Sequence, residues 1–172
     1  MDDLTIFGKD INKINQLKQD LRTEFELNDL GDIAYYLGLK VRRNRAARTI
    51  TLSQESYIDS IIKSTFDKIT RKKVNIPITD AAKDLRPADL QPSKAFLKQY
   101  QRIVGKIMYL SLETRPDIAY AISTVSQFSH TPTEEAMTAA KRIMRYIGHT
   151  REYSITYGGI QDTKITAYCD AN

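Results

Sequence analysis

Thr114-Arg115-Pro116-Asp117-Ile118-Ala119-Tyr120 is the stretch that divides the helical half of this sequence into separate helices. Thr114 and Asp117 form the pattern of a helix capping box across Pro116, and proline is favoured in the first turn of a helix because its φ is already helical. The stretch therefore predicts that one helix ends before Thr114 and that the next begins at Asp117.

The segments on either side of this stretch carry apolar residues at helical spacing. Residues 95–112 are predicted to form one helix, and Gly105 within it is interpreted as allowing another helix to approach closely. Residues 117–128 and 132–147 are predicted to form the next two helices, with Gly148 as the expected stop. Because the connecting loops are short, we expect these helices to pack as antiparallel neighbours.

The first part of the chain changes from a helix to strands. Asp10 is predicted to cap a helix that packs through one apolar face. The apolar residues of that face are Ile11, Ile14, Leu17, Leu21 and Phe25. Residues 33–41 then predict a strand, paired with residues 49–52 across an arginine-rich tip. Ser53 is expected to cap a further helix, and residues 74–78 alternate like a short strand.

The end of the chain alternates again. Tyr153, Ile155 and Tyr157 alternate with polar residues, the glycine pair that follows predicts a turn, and residues 165–169 alternate once more. This pattern predicts a second hairpin, which Asp170 follows directly. Strands and helices in this order predict an α+β chain.

The charge balance indicates a polyanionic partner. The 172 residues carry a formal net charge of +5 at pH 7, with a pI of about 9.2. Basic residues concentrate in three clusters; a solvated face is an equal alternative for each, but the three together favour phosphate contacts. The clusters are Arg42, Arg43, Arg45 and Arg48; Lys68, Arg71, Lys72 and Lys73; and Lys141, Arg142 and Arg145.

Several other classes of protein find no support. Cys169 is the only cysteine in the sequence, so neither an internal disulfide nor a zinc finger is expected. No apolar run is long enough to span a bilayer, and the acidic N-terminus differs from the basic start of a signal peptide. We therefore expect an intracellular protein, in the cytoplasm or nucleus, without a membrane partner.

Asp2 and Asp3 are candidate metal ligands. The two adjacent carboxylates precede an apolar, strand-like segment, and at a hairpin tip both could face Mg²⁺ or Mn²⁺, which prefer hard oxygen ligands. The alternative is a solvated N-terminus with two surface aspartates, and these two residues taken alone favour that alternative.

The order of several short motifs resembles the reverse transcriptase of copia-type LTR retrotransposons. The motifs are Asp2-Asp3-Leu4-Thr5-Ile6-Phe7-Gly8, Leu30-Gly31-Asp32, Tyr36-Leu37-Gly38 and the stretch Thr114–Tyr120. The family opening reads Tyr-x-Asp-Asp-Leu, whereas here Met1 stands directly before the aspartates and the Tyr is missing. The resemblance implies an RNA-directed DNA polymerase whose catalytic metals are held by Asp2 and Asp3, in a reading frame that begins inside the active site.

The resemblance also implies roles for later segments. One short segment corresponds to the primer grip, which holds the 3′ end of the primer, although core packing is an equal alternative for its tyrosines. Its residues are Tyr35, Tyr36, Leu37 and Gly38. The helices correspond to the thumb, which grips the template–primer duplex through its backbone. Asp170 matches the first metal-binding Asp of RNase H, but Asn172 stands where the second is expected, so we expect no RNase H activity.

The resemblance divides the chain into a palm remnant with a primer-grip-like hairpin at residues 1–53, a thumb-like helical region at 54–149 and the start of an RNase H-like domain at 150–172. The leading hypothesis is a fragment of a copia-type reverse transcriptase that is inactive alone, because the family's third catalytic aspartate and nucleotide-binding fingers lie upstream. The alternatives are a non-catalytic nucleic-acid-binding remnant and a non-functional genomic relic. Expected partners are an RNA/DNA template–primer duplex and the upstream polymerase segment, with Mg²⁺ or Mn²⁺ only in a complete polymerase.

Overall fold

Helices α3 (Lys94–Glu113), α4 (Ala119–Ser126) and α5 (Glu134–His149) pack against one another and form the core of the described protein. The computed structural model describes residues 4–65 and 73–159. Side chains such as Ile107, Val125 and Ile143 are completely buried between these helices. A further helix, α2 (Glu55–Thr65), packs against α5 through its buried face. The bounds of α3 and α5 agree with the predicted helices to within about two residues.

Two glycines in this core have roles other than those predicted. Gly148 does not stop α5, which continues to His149. A Cβ at Gly148 would lie 2.9 Å from Cδ1 of Ile62, so Gly148 lies where α5 packs against the Ile62 side chain of α2. Gly105 is exposed and a Cβ there would meet no atom within 4 Å, so the interpretation that it allows helix packing is wrong.

The predicted capping box at Thr114 is also wrong. The Thr114 hydroxyl is buried and donates to Oε1 of Gln54 at 2.6 Å. The Asp117 carboxylate accepts from the side chain of Arg115, the Thr114 backbone N–H donates to the carbonyl oxygen of Leu110, and Pro116–Ile118 form a 3₁₀ turn that leads into α4. Tertiary partners therefore replace the local cap that the sequence pattern predicted.

The strands form an antiparallel sheet that, within the described residues, has the order β1-β2-β3-β4. The strands are β1 (Tyr35–Tyr36), β2 (Leu39–Asn44), β3 (Thr49–Ser53) and β4 (Ile155–Gly158). The predicted pairing of β2 with β3 is confirmed, with Arg42 opposite Thr51. The single strand predicted at residues 33–41 is wrong, because a turn at Leu37 and Gly38 divides it into β1 and β2. Helices beside an antiparallel sheet confirm the α+β class.

Strand β4 joins the sheet of the first hairpin. It pairs with β3 in a register that places Ile155 opposite Leu52 and Gly158 opposite Thr49. Gly158 has a φ of 96°, and a Cβ there would collide with the carbonyl oxygen of Arg48. The strand predicted at residues 165–169 as the partner of this segment lies outside the described residues, and the domain boundary at residue 150 stays a prediction.

The N-terminal helix α1 (Ile11–Glu24) forms as predicted but does not pack as predicted. Its cap is confirmed, because the Asp10 carboxylate accepts from the Asn12 backbone N–H at 2.9 Å. Within the described residues none of its side chains is buried, and Ile11 and Phe25 are each 62% exposed. A pattern of apolar residues predicts a helix face but cannot supply the surface that covers it.

The short strand predicted at residues 74–78 is not present. These described residues form no strand, and Val74 is buried in the helical core instead. Within the same described ranges, no helix combines the length and apolarity needed to cross a bilayer.

Candidate nucleic-acid interface

The turn between β1 and β2 has an unusual backbone conformation. Leu37 has a φ of 48° and Gly38 a φ of 81°, the pair of positive values found in two-residue type I′ hairpins. Leucine in this conformation brings its Cβ close to the backbone, at a cost of about 1–2 kcal/mol. Strain of this kind persists only where surrounding contacts hold it, and it is frequent at binding sites.

A tyrosine of α3 holds this turn in place. The Tyr109 hydroxyl donates to the carbonyl oxygen of Leu37 at 2.9 Å. The ring of Tyr109 in turn meets the ring of Tyr57 from α2 edge to face, with centroids 5.0 Å apart. Burial, and after it the proximity of Tyr109, raises the pKa of Tyr57 above its ordinary value. The tip of the β1–β2 hairpin, which we call the hairpin tip and which comprises Tyr35, Tyr36, Leu37 and Gly38, is therefore fixed to the helical core.

The side chains of the hairpin tip point to solvent. Tyr35 is 62% exposed, Leu37 69% and Tyr36 39%. Core packing, the alternative considered for the two tyrosines, does not describe this arrangement. Exposed aromatic rings beside a fixed backbone form a surface on which a base or sugar can stack.

The arginine cluster of the β2–β3 hairpin is partly paired with carboxylates. Glu55 lies 3.7 Å from Arg42 and 3.8 Å from Lys40, whereas Arg45 lies 3.3 Å from Asp32. Such exposed ion pairs contribute about 0–1 kcal/mol and exchange easily for other charged partners. Arg43, which points to the opposite face of β2 from Arg42, is exposed.

The cluster predicted on α5 is only half exposed. Lys141, Arg142 and Arg145 are each of intermediate burial, and the Arg145 Nε donates to the carbonyl oxygen of Lys141 at 3.4 Å. The Arg142 Nε is buried and has no hydrogen-bond partner among the described residues. Lys73 is exposed, whereas Lys68, Arg71 and Lys72 lie outside the described residues. Of the second predicted cluster, the structure therefore describes Lys73 alone.

Helix α3 carries a row of cations that the sequence analysis missed. Lys94, Lys98, Arg102 and Lys106 follow one another at a spacing of four, which places them along one side of a helix. The first three are exposed. The Lys106 ammonium donates to Ser64 Oγ at 2.8 Å, and burial, followed by the charge of Arg102, lowers its pKa. The four-residue spacing was the signal available in the sequence.

Arg115 lies at the centre of a buried polar network. Its side chain is completely buried and binds Asp117 in a bidentate manner, with N–O distances of 2.8 and 2.7 Å. It also donates to the backbone oxygen of Thr150 at 3.1 Å and to its hydroxyl at 2.6 Å. The guanidinium faces the rings of Tyr146 and Tyr153 at 5.6 and 5.3 Å.

This network joins the end of α3 to the end of α5. Burial acts to raise the pKa of Asp117, but the hydrogen bonds and charge of Arg115, together with the Tyr146 hydroxyl at 3.0 Å, outweigh it and hold that pKa below its ordinary value. Burial, and then the same carboxylate, raises the pKa of Tyr146. Arg115 is therefore occupied inside the protein and is not available to a phosphate.

The predicted metal ligands cannot be placed. Asp2, Asp3 and Asp170 lie outside the described residues. Across residues 4–65 and 73–159, no group of three or more His, Cys, Asp or Glu side chains is arranged to hold a metal ion. Among the described residues, the exposed aromatic and basic side chains include those at the hairpin tip, on the β2–β3 hairpin and along α3.

Comparisons with known proteins point to the same class as the motifs. Residues 1–80 match the family model described as reverse transcriptase (RNA-dependent DNA polymerase). The whole chain is similar to the retrovirus-related Pol polyprotein from transposon TNT 1-94 of Nicotiana tabacum, at 36% identity and covering 13% of that protein. It is also similar over its whole length to the retrovirus-related Pol polyprotein from transposon RE1 of Arabidopsis thaliana, at 33% identity and covering 11% of that protein.

A shorter relative is covered more completely. The whole chain aligns with a transposon Ty5-1 protein of Saccharomyces cerevisiae at 28% identity, over 54% of that protein. No solved structure matches this chain. The chain is thus similar to the reverse transcriptase region of retrotransposon Pol polyproteins, and it spans only 13% and 11% of the length of the two Pol polyproteins named above.

Proposed function

We propose that this chain is a segment of a copia-type reverse transcriptase, running into the start of RNase H, that contacts the RNA/DNA template–primer duplex. The observation that carries the proposal is the exposed, strained hairpin tip at Leu37, which Tyr109 fixes to the core at 2.9 Å. The tip lies within residues 1–80, the part that matches the reverse transcriptase model. A costly backbone conformation held at the surface, between exposed tyrosines, is suited to a fixed contact with a ligand.

Primer extension would require divalent metal ions, for which we expect this chain alone to have low affinity. Asp2 and Asp3 would be ligands of Mg²⁺ or Mn²⁺, which would neutralise charge on the reacting phosphate when bound. Two carboxylates alone supply few of the six oxygen ligands that Mg²⁺ requires, and the described residues offer no further acidic cluster. Asp170 would belong to a separate RNase H site. We infer that the 172-residue chain binds duplex without extending a primer.

Binding is tested with a labelled RNA/DNA hybrid that has a recessed 3′ end. We expect a Kd of about micromolar or weaker at 50 mM salt, rising steeply with salt as phosphate contacts are screened. Tyr35→Ala should raise Kd about three- to tenfold, or roughly 0.7–1.4 kcal/mol. Tyr120→Ala is the matched control, because Tyr120 is exposed to a similar degree, 69%, but belongs to α4 and not to the hairpin. Absence of salt-dependent binding by the unmodified chain would refute the proposed function.

Primer extension tests the catalytic part separately. The chain is incubated with a primed RNA template, deoxynucleotides and either Mg²⁺ or Mn²⁺, and we expect no extension. Extension that disappears when Asp2→Asn and Asp3→Asn are combined would show that these two residues are working metal ligands and that the proposed inactivity is wrong.

A further inference from the structure

Tyr109 extends from α3 to the hairpin tip, where its hydroxyl lies against two consecutive backbone positions. The hydroxyl donates to the carbonyl oxygen of Leu37 at 2.9 Å, and a Cβ on Gly38 would lie 3.4 Å from the same hydroxyl oxygen. We propose that Tyr109 is a positioning residue for nucleic-acid binding, which acts by holding the hairpin tip in its binding conformation and not by touching the ligand. This inference rests on the proposed function and adds to it the residue that controls the tip.

The hairpin tip has little local support. Strand β1 contributes two residues, Tyr35 and Tyr36, and lies at the edge of the sheet within the described residues. A two-stranded hairpin is marginally stable at best without further contacts. The turn also carries strain, because Leu37 has a φ of 48°, at which a Cβ crowds the backbone. The conformation of the tip therefore depends on a contact from elsewhere in the fold.

Tyr109 provides this contact from an anchored position. Its neighbours in α3, Ile107 and Leu110, are completely buried in the helical core. Its ring meets the ring of Tyr57 edge to face, with centroids 5.0 Å apart, and this contact limits how far the ring can move. The hydroxyl therefore has a defined place relative to the helices, and the turn aligns on it.

The strength of this contact is similar to the strain that it opposes. A neutral hydrogen bond changes an equilibrium constant by about two- to twelvefold, and the strain of a leucine at positive φ acts in the opposite direction with comparable size. Without the Tyr109 hydroxyl, the tip would spend much of its time in other conformations. A ligand that binds one conformation loses apparent affinity in proportion to the population of that conformation.

The first test is Tyr109→Phe, which keeps the ring and removes the hydroxyl. Binding of the RNA/DNA hybrid with a recessed 3′ end by the 172-residue chain is measured from about 50 to about 300 mM salt. We expect Kd to rise about three- to tenfold at every salt concentration. Because the hydroxyl is neutral and contacts no phosphate in this proposal, the slope of log K against log salt should stay the same. A slope reduced by about one or more would mean a lost phosphate contact and would overturn the positioning role.

Tyr100→Phe is the matched control. The Tyr100 hydroxyl also extends from α3 and donates to a backbone carbonyl, that of Val125 at 2.6 Å, but this bond lies inside the helical core. We expect Tyr100→Phe to lower the Tm more than Tyr109→Phe does, because a buried carbonyl loses its partner, and to change Kd less than about twofold. A merely structural role could not give this opposite order in Tm and in Kd. Equal increases in Kd would mean that general destabilisation weakens binding, and the inference would fail.

The second test asks whether the hydroxyl acts through the turn. Asparagine tolerates positive φ, so Leu37→Asn should let the turn keep its conformation with less help from Tyr109. In a chain that already carries Leu37→Asn, we expect Tyr109→Phe to raise Kd less than about twofold. A hydroxyl that touched the ligand directly would lose the same affinity in both backgrounds, and that result would overturn the inference.

The third test needs no ligand. The Val41 N–H donates to the carbonyl oxygen of Ala34 at 2.8 Å across the β1–β2 hairpin, so its amide exchange reports hairpin opening. In the free chain, Tyr109→Phe should speed this exchange at least about twofold. The Ile58 N–H, which donates to the Gln54 carbonyl oxygen at 2.9 Å in α2, should exchange as before. An unchanged Val41 rate would show that the hydroxyl does not hold the hairpin.

Two outcomes separate this inference from the proposed function. If the unmodified chain binds the hybrid in a salt-dependent manner and Tyr109→Phe leaves Kd unchanged, this inference alone fails. If the unmodified chain shows no salt-dependent binding, the proposed function fails and this inference with it.

Discussion

Replacing Asp117 with alanine should leave the buried Arg115 guanidinium without its charge partner. The Arg115 side chain is completely buried and Asp117 is its only acidic partner among the described residues, at 2.7 Å. Removing one member of a buried ion pair costs about 3–5 kcal/mol. We expect about 3 kcal/mol, because Asp117 is 32% exposed and Thr150 still accepts two hydrogen bonds from the guanidinium.

The measurement is equilibrium urea unfolding followed by circular dichroism. Asp59→Ala is the matched control, because Asp59 lies 2.8 Å from Arg151 in a pair whose two side chains are each 53% exposed. The two ion pairs therefore have nearly the same N–O distance and differ in burial. The exposed Asp59–Arg151 pair should contribute only about 0–1 kcal/mol to the unfolding free energy. Equal losses of unfolding free energy in the two variants would show that burial does not determine how much the Arg115–Asp117 pair stabilises the fold.

The same pair should make stability depend on acidity. The pKa of Asp117 is lower in the folded state, so the unfolded state takes up the proton first as pH falls. The stabilisation is therefore fully present above the unfolded pKa of about 3.9 and is lost as pH falls through the lower, folded value. The difference between the unmodified chain and Asp117→Asn should shrink below about pH 4; a difference that stays constant down to pH 2 would contradict this account.

Three further substitutions test the packing. Gly148→Ala should change the unfolding free energy in urea by less than about 1 kcal/mol, because its Cβ would lie 2.9 Å from Cδ1 of Ile62, the free end of a side chain that can rotate away, and alanine favours the helix; a loss of more than about 2 kcal/mol would mean that Ile62 cannot move. Leu37→Asn should raise the unfolding free energy by about 0.5–1 kcal/mol, since Asn tolerates a φ of 48° better than Leu; a decrease would show that the Leu side chain itself stabilises the turn. Ile107→Asp should abolish cooperative thermal unfolding, because Ile107 is completely buried and an unpaired charge there costs several kcal/mol; a melt near the parent Tm would disprove its place in the core.

The sequence correctly predicted those helices and strands whose signals lie close together along the chain. The cap at Asp10, the helix around Ile107 and the pairing of β2 with β3 follow from spacing and turn residues that lie next to one another in the chain. The exposed hairpin tip at Leu37 could be assigned a role by resemblance alone, but its positive φ could not be predicted, because leucine rarely adopts it. The four-residue spacing of the basic residues on α3 was visible in the sequence, but the other three clusters have their basic residues closer together and were selected instead.

The sequence by itself determined where the helices lie and that they alternate with antiparallel strands, because hydrophobic periodicity depends on neighbouring residues only. Only the tertiary structure decided which contacts the two helix glycines and Arg115 make. Gly148 packs where Gly105 does not because Ile62 lies beside one and solvent beside the other. Arg115 binds Thr150, distant in sequence, because a buried guanidinium must find its partners wherever the packed helices bring acceptors together.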